Sequence, residues 1–152
     1  LIGFTGARKG LTPKQYHALR AILERRKPGE VFAHGDALGA DEMAHGIATA
    51  HGLTVHLYPC DIDTQRAFCR ASVIHPARPP LERNRAIVDA VVGLFACPSC
   101  EEHPRSGTWA TVRYARTLGR PVVIVWPDGT STRDYGPPPR PSSSRPHDPP
   151  HR

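Results

Sequence analysis

The chain is short of cysteines, of aromatic residues and of long apolar runs, and each shortage excludes something. No stretch approaches the ~20 apolar residues that a membrane-spanning helix needs, so no membrane partner is expected. Nothing at the start reads as a signal peptide. The chain begins without methionine, inside an apparent strand, so at least one residue is expected to precede Leu1. Four cysteines without a secretory signal point to a reducing, cytoplasmic setting. Aromatic residues make up 7% of the chain, and only Tyr58 and Phe68 stand where a nucleic-acid base could stack. Single-strand binders usually present several such groups.

Aliphatic side chains are missing altogether from residues 128–152, which hold seven of the 17 prolines and several serines. Such a segment cannot offset its ordering entropy by burial, so a Pro/Ser-rich disordered tail is expected there. The domain proper is then 1–127, long enough to bury a core. Setting aside the tail's four arginines and three aspartates leaves 16 basic and 11 acidic residues, a net +5. That excess suits an anionic ligand of any size, from a nucleotide to nucleic acid.

Strands and helices alternate. Apolar runs at 1–6, 31–35, 54–59, 91–98 and 121–127 read as strands. Thr12-Pro13 supplies an N-cap and first-turn proline for a helix to about Lys27, with Tyr16, Leu19, Ile22 and Leu23 on its apolar face. Further helices are expected over 41–51, 81–90 and 108–118. The pattern implies an α/β fold, a Rossmann-like three-layer sandwich around a mostly parallel sheet of about five strands.

In such sheets ligands bind beyond the carboxyl ends of the strands, and the unusual residues fall there. TGARKG (5–10) follows the first strand; Gly6 and Gly10 permit close backbone approach to an anion, and Thr5 with Arg8 or Lys9 adds a hydroxyl and a charge. HGDALGAD (34–41) follows the second. Its Gly35, Asp36 and Gly39 are candidate ligand contacts, Asp36 for a ribose, whereas Asp41 and Glu42 read as first-turn charges complementing a helix dipole. RSGTW (105–109) puts Ser106, Gly107 and Thr108 at a helix N-terminus, where free amides attract phosphate. LERNR (81–85) offers Arg83 and Asn84.

Cys97 and Cys100 have zinc or redox spacing, but Cys60 and Cys69 do not form a second tight pair, and the histidines are scattered. No metal and no cofactor are expected. Trp109, Val112 and Arg113 lie on consecutive turns of one helix, as a dimer face or as core.

TGxRxGLTPxQ, HGDxxGAD, LxRNRxIV and RSGTWATVRYAR, in that order and followed by PVxIVxPDG, resemble small bacterial and phage proteins of the SLOG superfamily. That superfamily joins the DNA-processing protein A (Smf) group with the Lonely Guy phosphoribohydrolases. The resemblance implies a nucleotide-binding domain, commonly homodimeric. Gly6 and Arg8 would match the first phosphate-side loop, Gly35 the second, Arg83 the site arginine, and Gly107-Thr108 the Gly-Thr of the enzymes' GGxGTxxE motif.

Where those hydrolases carry the motif's glutamate this chain has Thr111, which leaves Thr111 as a binding candidate and the catalytic carboxylate unassigned. Cleavage of an N-glycosidic bond needs a carboxylate to stabilise an oxocarbenium-like centre and activate water. Glu101, Glu102, Asp36, Asp61 and Asp63 are candidates for a displaced one, with Glu101 and Glu102 favoured because their loop leads into the phosphate turn. Three functions follow: a binding module for a small nucleotide, which is preferred; a nucleoside 5′-monophosphate N-glycosidase; and a DNA-binding protein using Arg20, Arg25, Arg26 and Lys27.

Overall fold

A computed structural model describes residues 1–134. Seven strands form one sheet in the order β4-β3-β2-β1-β5-β6-β7. The strands are β1 (Ile2–Gly6), β2 (Val31–His34), β3 (Thr54–Leu57), β4 (Val73–Ile74), β5 (Gly93–Cys97), β6 (Val122–Val125) and β7 (Ser131–Asp134). All neighbouring pairs are parallel except β6 with β7. Helices α1 (Pro13–Glu24), α2 (Ala40–Ala50), α3 (Pro80–Ala90) and α4 (Gly107–Thr117) connect them.

The layers follow from strand alternation. Phe95 and Cys97 of β5 join the core that includes Leu19 and Leu23 of α1 and Ala44 and Ile47 of α2. Leu94 and Ala96 turn the other way, onto Trp109, Val112 and Ala115 of α4. Trp109 and Val112 are therefore core, not a dimer face, and of that trio only Arg113 stays outside.

The TPxQ stretch explains how α1 is fixed to the sheet. The Thr12 hydroxyl accepts the Gln15 amide at 3.0 Å and the Gln15 side chain accepts the Thr12 amide at 3.0 Å, a reciprocal capping box. Buried Gln15 then donates through Nε2 to the carbonyls of Pro98 (2.8 Å) and Val125 (2.9 Å). Pro98 follows β5 and Val125 ends β6, so Gln15 ties α1 to the carboxyl ends of both strands.

Two strands exceed the expected five. β4 is a two-residue edge strand, too short to leave a periodic signature. β7 lies in the segment that composition assigned to the tail. It needs no aliphatic side chain, because it is held by main-chain pairing to β6 and by Arg116, whose Nε donates to Asp134 at 2.7 Å. The fold thus runs on to at least Asp134, and the rest of the expected tail, 135–152, lies outside the described residues.

Candidate functional site

β1 sits where the topology switches direction, with β2 to β4 on one side and β5 to β7 on the other. Loops leaving β1 and β5 diverge there, and a cleft of about 590 Å³ opens between them. Of the expected binding residues, Thr5, Gly6, Arg8, Gly35, Arg83, Asn84, Ser106, Gly107 and Thr108 line it. So do Lys9 and Arg105, both exposed.

Each wall has a local cause. Ser106 caps α4, its hydroxyl accepting the Trp109 amide at 3.2 Å. The amides of Gly107 and Thr108 have no partner among the described residues and remain at the positive end of the helix dipole. Arg83 comes from the first turn of α3 and is buried. Its Nη1 donates to the Gly35 carbonyl and its Nε to Asn84 Oδ1 at 2.8 Å. A Cβ on Gly35 would stand 2.6 Å from Nη1, so glycine there is what lets the guanidinium lie against the strand end. Nη2 has no partner among the described residues. At the opposite wall Arg8 Nη2 donates to Gln65 Oε1 at 2.6 Å.

Seven candidates are not in the cleft lining, and Asp36, Gly39, Thr111 and Glu102 each have another task. Asp36 is fully buried in the left-handed region (φ 54°) and clamps the 66–69 loop. Its Oδ2 accepts Arg66 Nε (3.1 Å) and Nη2 (3.0 Å), and its Oδ1 accepts the Cys69 amide (2.9 Å). No ribose contact is open to it. Gly39 packs against backbone instead: at φ +90° an added Cβ would fall 2.2 Å from the Arg8 carbonyl oxygen. Gly39→Ala is expected to destabilise the fold by about 2–4 kcal/mol in urea unfolding, through strain and clash together. Thr111 is buried and donates to the Gly107 carbonyl at 2.9 Å, so its hydroxyl turns back along α4. Glu102 is bound to Arg116 (2.7 Å) and Arg113 (3.5 Å), and Arg116 foremost holds its carboxyl below the usual range. Glu101 is exposed. Asp61 and Asp63 are exposed too, and neither lines the cleft.

The carboxylate that does line the cleft is Asp41. It is a first-turn residue of α2, as its position suggested, but it is also 6% exposed and turned inward. The Ala37 amide donates to its Oδ2 at 3.1 Å. Burial pushes its carboxyl up to about 6, against the pull of Arg83 and of the Ala37 and Gly35 amides. Sequence offered one signal for it: a helix-start acid inside a glycine-containing loop at the ligand edge of the sheet. The dipole accounted for that acid well enough to hide a second role.

His34, His45 and Cys69 bring ligand atoms within 4.8 Å of one another, the range of a metal site. Their hydrogen bonds give them another use. The Asp36 amide donates to His34 Nδ1 at 2.9 Å, so the proton of this neutral ring sits on Nε2, which donates to His45 Nδ1 at 2.9 Å. A metal on His34 Nε2 would force that proton onto Nδ1, facing the Asp36 N–H. Burial also pushes the Cys69 thiol up to about 12. The two histidines form a hydrogen-bonded chain that starts at the Asp36 amide.

Among the described residues no helix is long and apolar enough to cross a membrane. No protein-family model matches the chain, and no curated protein matches it in sequence. Its fold is similar to the X-ray structure of TM1055, a structural-genomics target, with a TM-score of 0.58 at 16% identity over 80% of this chain and 71% of that one. Likeness at that identity establishes a Rossmann-like α/β fold.

Proposed function

We propose that the cleft binds a small phosphorylated ligand of the nucleotide class, as the resemblance to SLOG proteins implies. The observation that carries this is the charge of its lining: Arg8, Lys9, Arg83, Arg105 and the open amides of α4 face a single carboxylate, Asp41. Cations and helix amides converging at a sheet switch point are what a phosphate monoester requires. Calorimetric titration with nucleoside 5′-monophosphates, NAD and ADP-ribose tests it, with saturable binding of at least one expected. Homodimerisation, which the resemblance also implies, is read on the same sample by light scattering.

Asp41 favours a second reading, N-glycosidic cleavage, since it puts a carboxylate of raised pKa into the cleft that Thr111 leaves without one. Chromatography of the same incubations decides it: a released base supports cleavage, and binding without release retires it. A DNA interface fits less well. Arg20 and Arg26 are paired with Glu24 and Glu30, Phe68 carries the Arg66 guanidinium at 4.3 Å, and Tyr58 stacks on His75 at 4.1 Å. Raising salt from about 50 to about 200 mM is expected to weaken nucleotide binding modestly, where an interface neutralising several DNA phosphates loses ~10³-fold or more.

A further inference from the structure

We propose that Asp41 is the specificity-determining acceptor of the cleft, selecting a phosphate ester that carries neighbouring hydroxyl groups, a sugar phosphate unit, over phosphate alone. The inference rests on the anion-binding reading above and names what the rest of the ligand must offer.

A carboxylate opposes the binding of any anion, so a cleft meant for phosphate alone is better without one. Asp41 nonetheless lines a cleft whose other charged groups are cationic. It is not there as half of an ion pair. Arg83 is close enough to be felt, yet its Nη1 and Nε serve the Gly35 carbonyl and Asn84, and no ion pair among the described residues includes Asp41. Nor is its acceptor capacity used up. The Ala37 amide, at 3.1 Å from Oδ2, is the one hydrogen-bond donor to the carboxylate among the described residues. A carboxylate has about four acceptor positions, which leaves about three.

Position and charge define what fills them. Asp41 is held by the first turn of α2 and by the Ala37 amide, so its remaining lone pairs are presented at a fixed place. An ammonium donor would meet repulsion from Arg8, Lys9 and Arg83 in the same cleft. Neutral donors do not, and hydroxyls adjoining a phosphate ester are the chemistry that satisfies both the cations and the carboxylate. The competing account is that Asp41 only pins the 35–37 turn, and it predicts a different response to substitution.

The experiment titrates methyl phosphate, ribose 5-phosphate and 2-deoxyribose 5-phosphate into the full chain and into Asp41→Asn. Wild type is expected to prefer ribose 5-phosphate to methyl phosphate by about tenfold or more, one good charge-assisted hydrogen bond. In Asp41→Asn, methyl phosphate should bind several-fold tighter, because a negative charge has left the cleft, while ribose 5-phosphate binds about tenfold weaker. These opposite signs identify a contact. If both ligands weaken together, Asp41 is a structural pin; if both tighten by one factor, its charge is felt without contact. Either result overturns the proposal. The wild-type preference stands independently should the variant fold poorly, and its absence also overturns the proposal while leaving the anion site intact. The deoxy sugar shows which hydroxyl is read. Failure of all three ligands to bind sinks the anion-binding reading and this inference with it.

Discussion

Arg83→Ala is expected to weaken binding of a nucleoside 5′-monophosphate by about 100-fold or more, the cost of removing a charged, buried hydrogen-bonding group from a site. The guanidinium is buried, and its orientation is set by the Gly35 carbonyl and by Asn84, with Nη2 left for a ligand. No entropy has to be spent on ordering the side chain when the phosphate arrives. Arg83→Lys keeps the charge but not the fork, so a loss of about tenfold is expected. Gly35→Ala should behave like a milder Arg83→Ala, because its Cβ displaces the guanidinium without deleting it. Calorimetry on the three variants checks the order. Binding by folded Arg83→Ala within threefold of wild type would place the phosphate elsewhere.

The second large effect is on acid stability, where two buried groups oppose each other. Burial holds His34 at about 3, well below the usual 6.5 of histidine. Its neutral form is the folded one, so its contribution is complete above pH 6.5 and is lost as pH falls toward 3, while the unfolded chain takes up the proton. By pH 4.5 that loss reaches about 3 kcal/mol. Asp41 runs the other way. Its folded pKa of about 6 lies above the unfolded 3.8, so its contribution is present below 3.8 and is lost as pH rises through about 6. Wild type should therefore show a shallow dependence between pH 7 and 4.5. Asp41→Asn removes the opposing group and should lose about 3 kcal/mol over that interval, most of it from His34. Urea unfolding of both proteins at the two pH values measures it. Parallel behaviour would mean that one of the two groups is solvated.

Much of the fold was legible because the apolar periods are strong. The five long strands and four helices were placed within a few residues, and Thr12-Pro13 marked the start of α1. β4 and β7 were missed for a physical reason: an edge strand is held by main-chain hydrogen bonds, and neither Val73–Ile74 nor Ser131–Asp134 buries enough surface to imprint a pattern. The cleft was legible as loops, since glycine, threonine and arginine at strand ends follow from where parallel sheets bind ligands. Its carboxylate was not. Asp36, Glu101 and Glu102 sit in the right loops but are turned to Arg66, to solvent and to the α4 arginines, whereas Asp41, beyond Asp36 in the first turn of α2, faces in. Side-chain direction at a loop end depends on tertiary partners, and Asp36 shows how completely they can consume a residue: both its oxygens are taken by the 66–69 loop.

Phosphate is the group that the cleft between the β1 and β5 loops is proposed to recognise. Calorimetric titration of a ribonucleoside 5′-monophosphate into the full chain, beside the same nucleoside without its phosphate, isolates the contribution of that group. Saturable binding of the monophosphate, with binding of the nucleoside lost or weaker by about 100-fold, is the predicted result. Equal binding of the two, or binding of neither across the nucleotide panel, would contradict it.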